Sequence, residues 1–74
     1  MPTLSPGDLV ILESAPSSLL HGLPDEDQVA IRDVVGKPVL FAGMSYGQAE
    51  LEFKDARGDF HTIWVESRLI APVR

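Results

Sequence analysis

From Leu9 onward the chain alternates short apolar runs with clusters of turn-forming residues, and this rhythm predicts a β-rich domain interrupted by one helix. Ser5-Pro6-Gly7-Asp8 reads as a turn and Leu9-Val10-Ile11-Leu12 as a first strand. Pro16, within Ser14-Ala15-Pro16-Ser17-Ser18, stops that strand because proline has no N–H for a ladder. Leu19-Leu20 then falls in a connecting loop that is expected to fold back over the domain, since an exposed leucine pair is disfavoured. Past residue 37 the period becomes two. Pro38 to Met44 reads as a strand and Ser45-Tyr46-Gly47 as a turn. Gln48 to Lys54 alternates, with Ala49, Leu51 and Phe53 on one side and Glu50, Glu52 and Lys54 on the other. Asp55-Ala56-Arg57-Gly58 has the form of a type I hairpin connection ending in glycine. Phe60 to Val65 returns as the next strand. Ser67-Arg68-Leu69 has room for one 3₁₀ turn before a last strand at Ile70-Ala71-Pro72-Val73.

The helix is expected over about residues 24–35. Pro24 suits its first position, where the missing N–H costs nothing, and Asp25, Glu26 and Asp27 suit the positive end of the helix dipole. Gly36 suits the left-handed stop. Ile31, Val34 and Val35 form the predicted buried stripe, with Gln28 and Arg32 towards solvent. A helix this short is marginal alone and must pack on the sheet.

Composition narrows the choices. Residues 1–74 form one domain, because a core this small cannot be divided. The chain contains no cysteine, so disulfides cannot support it, and His21 and His61 alone cannot complete a tetrahedral zinc site. Neither a metal nor any other cofactor is expected. With 11 acidic and 6 basic residues the net charge is −5, and the basic residues (Arg32, Lys37, Lys54, Arg57, Arg68, Arg74) form no block. Nucleic acid is therefore a disfavoured partner, since phosphate binding needs clustered Lys and Arg. No apolar run approaches the length of a membrane span and no signal peptide is evident, so no membrane is expected and a cytoplasmic location is the expectation.

Five short strands in so few residues cannot make a filled two-sheet sandwich but can close into a small barrel. The chain resembles the SH3-like barrels of small bacterial proteins of unassigned role. The resemblance is carried by Pro6-Gly7-Asp8-Leu9-Val10, by Val35-Gly36-Lys37-Pro38-Val39 leading to a glycine-turned hairpin, and by Trp64-Val65-Glu66-Ser67-Arg68-Leu69-Ile70. It implies a mainly β fold, a five-stranded SH3-like barrel with one α-helix inserted between the first two strands. A fold of this kind does not by itself imply an activity.

The strand from Phe60 to Val65 is the hardest to explain as plain structure. Phe60, Thr62 and Trp64 share one side and His61, Ile63 and Val65 the other, so both sides are largely apolar. Either the helix or the Leu19-Leu20 loop covers the outer side, or that side is an exposed stripe for a partner or for self-association. Trp64, Phe60, the hairpin-tip Tyr46 and, at the margin, His61 are the candidate partner-binding residues, because aromatics supply anchor energy at interfaces. Asp25-Glu26-Asp27 reads as a helix stabiliser and Glu50 with Glu52 as a solvated sheet surface. No catalytic set is evident. The expected function is a non-enzymatic binding module or small accessory protein acting through protein–protein contacts, self-association included. The alternative is a small-molecule-binding oligomer, enzymatic or not, with its site formed between subunits, because one small barrel is filled by its own side chains.

Overall fold

The computed structural model describes residues 4–73; Arg74, counted above among the scattered basic residues, lies outside them. Five antiparallel strands form one sheet in the order β4-β3-β2-β1-β5, with β1 Leu9–Leu12, β2 Pro38–Ser45, β3 Gln48–Lys54, β4 Phe60–Glu66 and β5 Ile70–Pro72. The helix α2, Asp25–Val34, enters between β1 and β2, as expected, and a 3₁₀ turn at Ser67–Leu69 joins β4 to β5. β4 and β5 are the two ends of the sheet and do not pair, so the sheet is not closed by hydrogen bonds.

Strand alternation sorts the side chains. Val10, Leu12, Val39, Phe41, Ala49, Leu51, Phe53, Ile63 and Val65 all turn to one side and form the core, where Leu20, Ala30, Ile31 and Leu69 join them. The β2–β3 register shifts between Phe41 and Gly43, a bulge that bends β2.

The predicted segments hold to within a residue at their ends, with four differences. Leu19 and Leu20 lie in a one-turn helix, α1, Ser17–Leu20, rather than in loop; Leu20 is buried, so the fold-back is real. Pro24 is the residue before α2 instead of its first residue. Its extended ψ of 151° keeps it outside, and its carbonyl accepts from the Asp27 and Gln28 N–H groups at 3.0 and 3.1 Å. The buried stripe of α2 is Ala30 with Ile31, while Val34 and Val35 are only half-buried. Val35 leaves the helix at ψ 128°, which ends the helical period before the stripe reaches it. Gln28 is half-buried too, and its Nε2 donates to the Leu23 carbonyl at 2.9 Å.

Gly36 follows the helix with φ +83°, a left-handed conformation that costs glycine little, and its N–H donates to the Leu12 carbonyl at 2.9 Å. This bond fixes the exit of α2 to the end of β1. Gly36→Ala is expected to lower stability by about 1 kcal/mol, a drop in melting temperature of roughly 4–8 °C by calorimetry. An unchanged melting temperature would refute the left-handed stop.

Candidate functional site

β4 has a core side and an outer side, and the outer side is open. Ile63 and Val65 are buried, whereas Phe60 is 73% exposed and Trp64 48% exposed, with exposed Thr62 between them. α2 does not cover this stripe, since it joins the core cluster through Ala30 and Ile31 on the opposite side of the sheet, while Ser18 and Leu19 of α1 stand beside Trp64, which is half exposed. The neighbours across β3 are Lys54 opposite Phe60, Glu52 opposite Thr62 and Glu50 opposite Trp64. The Lys54 ammonium lies 4.9 Å from the centre of the Phe60 ring, a cation–π contact in solvent. Leu9 and Leu40, paired on β1 and β2, extend the exposed apolar surface beyond the glutamates.

Tyr46 stands at the tip of the β2–β3 hairpin, beyond the Gln48–Glu66 pair that ends the β3–β4 ladder. The turn is two residues long, and Tyr46 and Gly47 both have positive φ (52° and 78°), as in a type I′ turn. Glycine adopts this conformation freely; for tyrosine it costs about 1–2 kcal/mol. Its side chain is fully exposed, so no packing offsets that cost. The two-residue hairpin itself demands positive φ at both positions, so the turn accounts for this conformation.

His61 departs from the other candidates. It points to the opposite side of β4 from Phe60 and Trp64, and its ring stacks on Phe53 with centroids 5.4 Å apart. Its Nε2 lies 2.8 Å from Asp55 Oδ2, and its Nδ1 lies 3.4 Å from Asp27 Oδ1. The Asp55 carboxyl is held at about 2, below its usual 3.8, chiefly by the hydrogen bond from His61 and then by the Asp59 N–H. An ionised carboxylate only accepts, so Nε2 carries the proton of this bond. Asp55 Oδ1 also accepts from the Arg57 and Asp59 N–H groups at 2.9 and 3.0 Å, which closes the β3–β4 turn. His61 thus joins that turn to α2, alongside an Arg57–Glu26 ion pair at 3.2 Å. The ring is a structural tie, with both nitrogens turned to carboxylates.

The structure therefore brings Phe60 and Trp64 together, sets Tyr46 at the neighbouring hairpin tip and takes His61 elsewhere. The Asp25-Glu26-Asp27 run does stand in the first turn of α2, but Glu26 and Asp27 also reach the β3–β4 hairpin. Sequence reasoning missed Asp55 and Asp27 as partners of His61. The Asp55-to-Gly58 turn was the available signal for Asp55; the helix partner had none. It also missed a groove of about 350 Å³ whose lining includes Pro16, Ser18, Leu19, Gln48, Trp64 and Glu66. Among the described residues, no three His, Asp or Glu side chains converge so as to hold a metal ion, and no helix is long and apolar enough to cross a membrane. Comparison with known proteins finds no protein family, no curated protein and no solved structure that matches the chain.

Proposed function

We propose that the protein is a non-enzymatic binding module that works through protein contacts, with Phe60 and Trp64 as anchors and Tyr46 as a neighbouring contact. The observation that carries this reading is the exposed aromatic side of β4 on a strand whose other side belongs to the core. Burying a large aromatic is favourable by roughly 25 cal/mol per Å² of apolar surface, so two of them left in solvent on one strand are a reserve of binding energy. Interface hot spots draw heavily on such residues. An SH3-like barrel is part of the same reading. It is supported by the five-strand order, the helix between β1 and β2, the 3₁₀ turn before β5 and one shared core. A cytoplasmic setting belongs to it as well, resting on a chain without cysteine.

Display selection of random peptides against the full chain tests the proposal. Ligands selected on the wild type are expected to bind Trp64→Ala at least about tenfold more weakly, a loss of about 1.4 kcal/mol, while the variant keeps its melting temperature within a few degrees. Ligands that bind Trp64→Ala as tightly as the wild type would overturn the assignment of the surface. Loss of several kcal/mol of stability would instead make Trp64 a core residue.

A further inference from the structure

Building on the partner-binding reading above, we propose that β4 takes its partner by strand addition: an extended peptide segment, alternately apolar and basic, pairs with the outer edge of Phe60–Glu66. The hairpin fixes which backbone groups that edge presents. The Asp55 N–H donates to the Asp59 carbonyl at 2.9 Å, so Asp55 and Asp59 form a hydrogen-bonded pair at the start of the ladder. Hydrogen-bonded and non-hydrogen-bonded pairs alternate along an antiparallel ladder. His61, Ile63 and Val65 therefore exchange their bonds with β3, and the N–H and C=O groups of Phe60, Thr62, Trp64 and Glu66 point away from the sheet. Among the described residues no turn or loop bond reaches the backbone of Phe60, Thr62 or Trp64, whereas Glu66 caps the 3₁₀ turn and gives its carbonyl to that turn.

The two ends of the sheet differ in a telling way. β5 is three residues long and ends in Pro72, two devices that blunt an edge against pairing. β4 is seven residues long, contains no proline or lysine, and keeps an unshifted register with β3 over all seven pairs. An edge of this length without protection recruits another strand.

The surroundings specify that strand. On the outer side, Glu50 and Glu52 lie one strand in from the edge, and neither has an ion-pair partner among the described residues. The basic groups nearby are engaged: Arg68 is held by Glu66 at 2.7 Å, and Lys54 lies over Phe60. Side chains of an added strand on this side thus meet uncompensated carboxylates, and long basic ones complement them. Beside the C-terminal half of β4 lies the groove that Pro16, Leu19 and Trp64 share with Ser18, Gln48 and Glu66, a seat for a side chain with an apolar stem and a basic end. A second copy of the chain would bring the same glutamates to the same face and a further net charge of −5. A basic peptide meets no such repulsion.

The test titrates the ¹⁵N-labelled full chain with a capped nonapeptide of alternating valine and lysine, its glutamate counterpart, and two versions of the lysine peptide N-methylated on one or the other alternate set of amides. The expected result is shift change and slowed exchange at the amides of Phe60, Thr62, Trp64 and Glu66. Binding should weaken at least about tenfold with the glutamate peptide and with one methylated set only. Equal binding of both methylated peptides to the Phe60 and Trp64 side chains would overturn strand addition while leaving the aromatic contact standing. Equal affinity of the glutamate peptide would overturn the basic chemistry of the partner. Edge amides already protected in a dimer before peptide is added would overturn it in favour of a second copy. No shift change at β4 would overturn the proposal outright, and the display ligands of Trp64→Ala would still report separately on the surface.

Discussion

Phe41→Ala is expected to leave most of the protein unfolded at room temperature without denaturant. Phe41 is 2% exposed and sits on β2, in the middle of the sheet, between neighbours on β1 and β3. Its backbone also ties down the N-terminal turn: its N–H donates to the Asp8 carbonyl and its carbonyl accepts from the Gly7 N–H, both at 2.8 Å. Removing a buried phenylalanine ring costs about 3–5 kcal/mol through lost transfer energy and the cavity left behind. A single core in a chain this short rarely supplies more than about 3–5 kcal/mol in all, so this one change consumes the margin. Phe60→Ala is the internal control, because the same truncation in solvent should cost under about 1 kcal/mol. Urea unfolding followed by circular dichroism reads both. A Phe41→Ala variant with a cooperative transition close to the wild-type midpoint would refute the placement of the core.

Asp55→Asn is expected to flatten the loss of stability in acid. The Asp55 carboxyl titrates at about 2 in the folded protein and at its ordinary 3.8 when the hydrogen bonds from His61, Asp59 and Arg57 are gone. A depressed folded value means that the unfolded chain binds the proton first. The contribution is therefore fully present above about pH 5 and is lost as the pH falls through 3.8 towards 2. Asparagine keeps an oxygen to accept from the Arg57 and Asp59 N–H groups, so the turn survives, but it cannot ionise. Urea midpoints measured at intervals from pH 2 to pH 5 should fall less steeply for the variant than for the wild type. Parallel slopes would show that other carboxylates carry the acid sensitivity.

Much of this arrangement is legible in the residues themselves. The alternation Ala49-Glu50-Leu51-Glu52-Phe53 dictates a strand with one wet side, and β3 is found over the expected residues, Gln48–Lys54. Proline and glycine bound β2 and the β3–β4 hairpin, but none stands between β4 and β5. What composition could not decide was the environment of Phe60 and Trp64, since an apolar residue on an outer face looks the same whether a helix covers it or not. That depended on where α2 packs, and its short buried stripe of Ala30 and Ile31 sends it to the core side. The tie between His61, Asp55 and Asp27 was hidden for a similar reason: it spans a helix and a hairpin that only the folded chain brings together. The open edge of β4 was hidden too, because strand order is not written in any one strand.

The pairing of β1 with β5 has a consequence for how the chain reaches this state. Ile11 and Ala71 are partners although nearly the whole sequence lies between them, whereas β2, β3 and β4 are joined by turns of a few residues. Closing a loop of that length costs on the order of 3 kcal/mol more chain entropy than closing a hairpin, and a short seam of three cross-strand pairs, flanked by the Glu13–Leu69 and Val73–Leu9 backbone bonds, offsets it. The meander of β2, β3 and β4 thus assembles first, and the seam between the two ends of the chain zips last and opens first. In hydrogen exchange, the amides of β1 that face β5 are then the earliest of the sheet's paired amides to give way, after the open edge of β4.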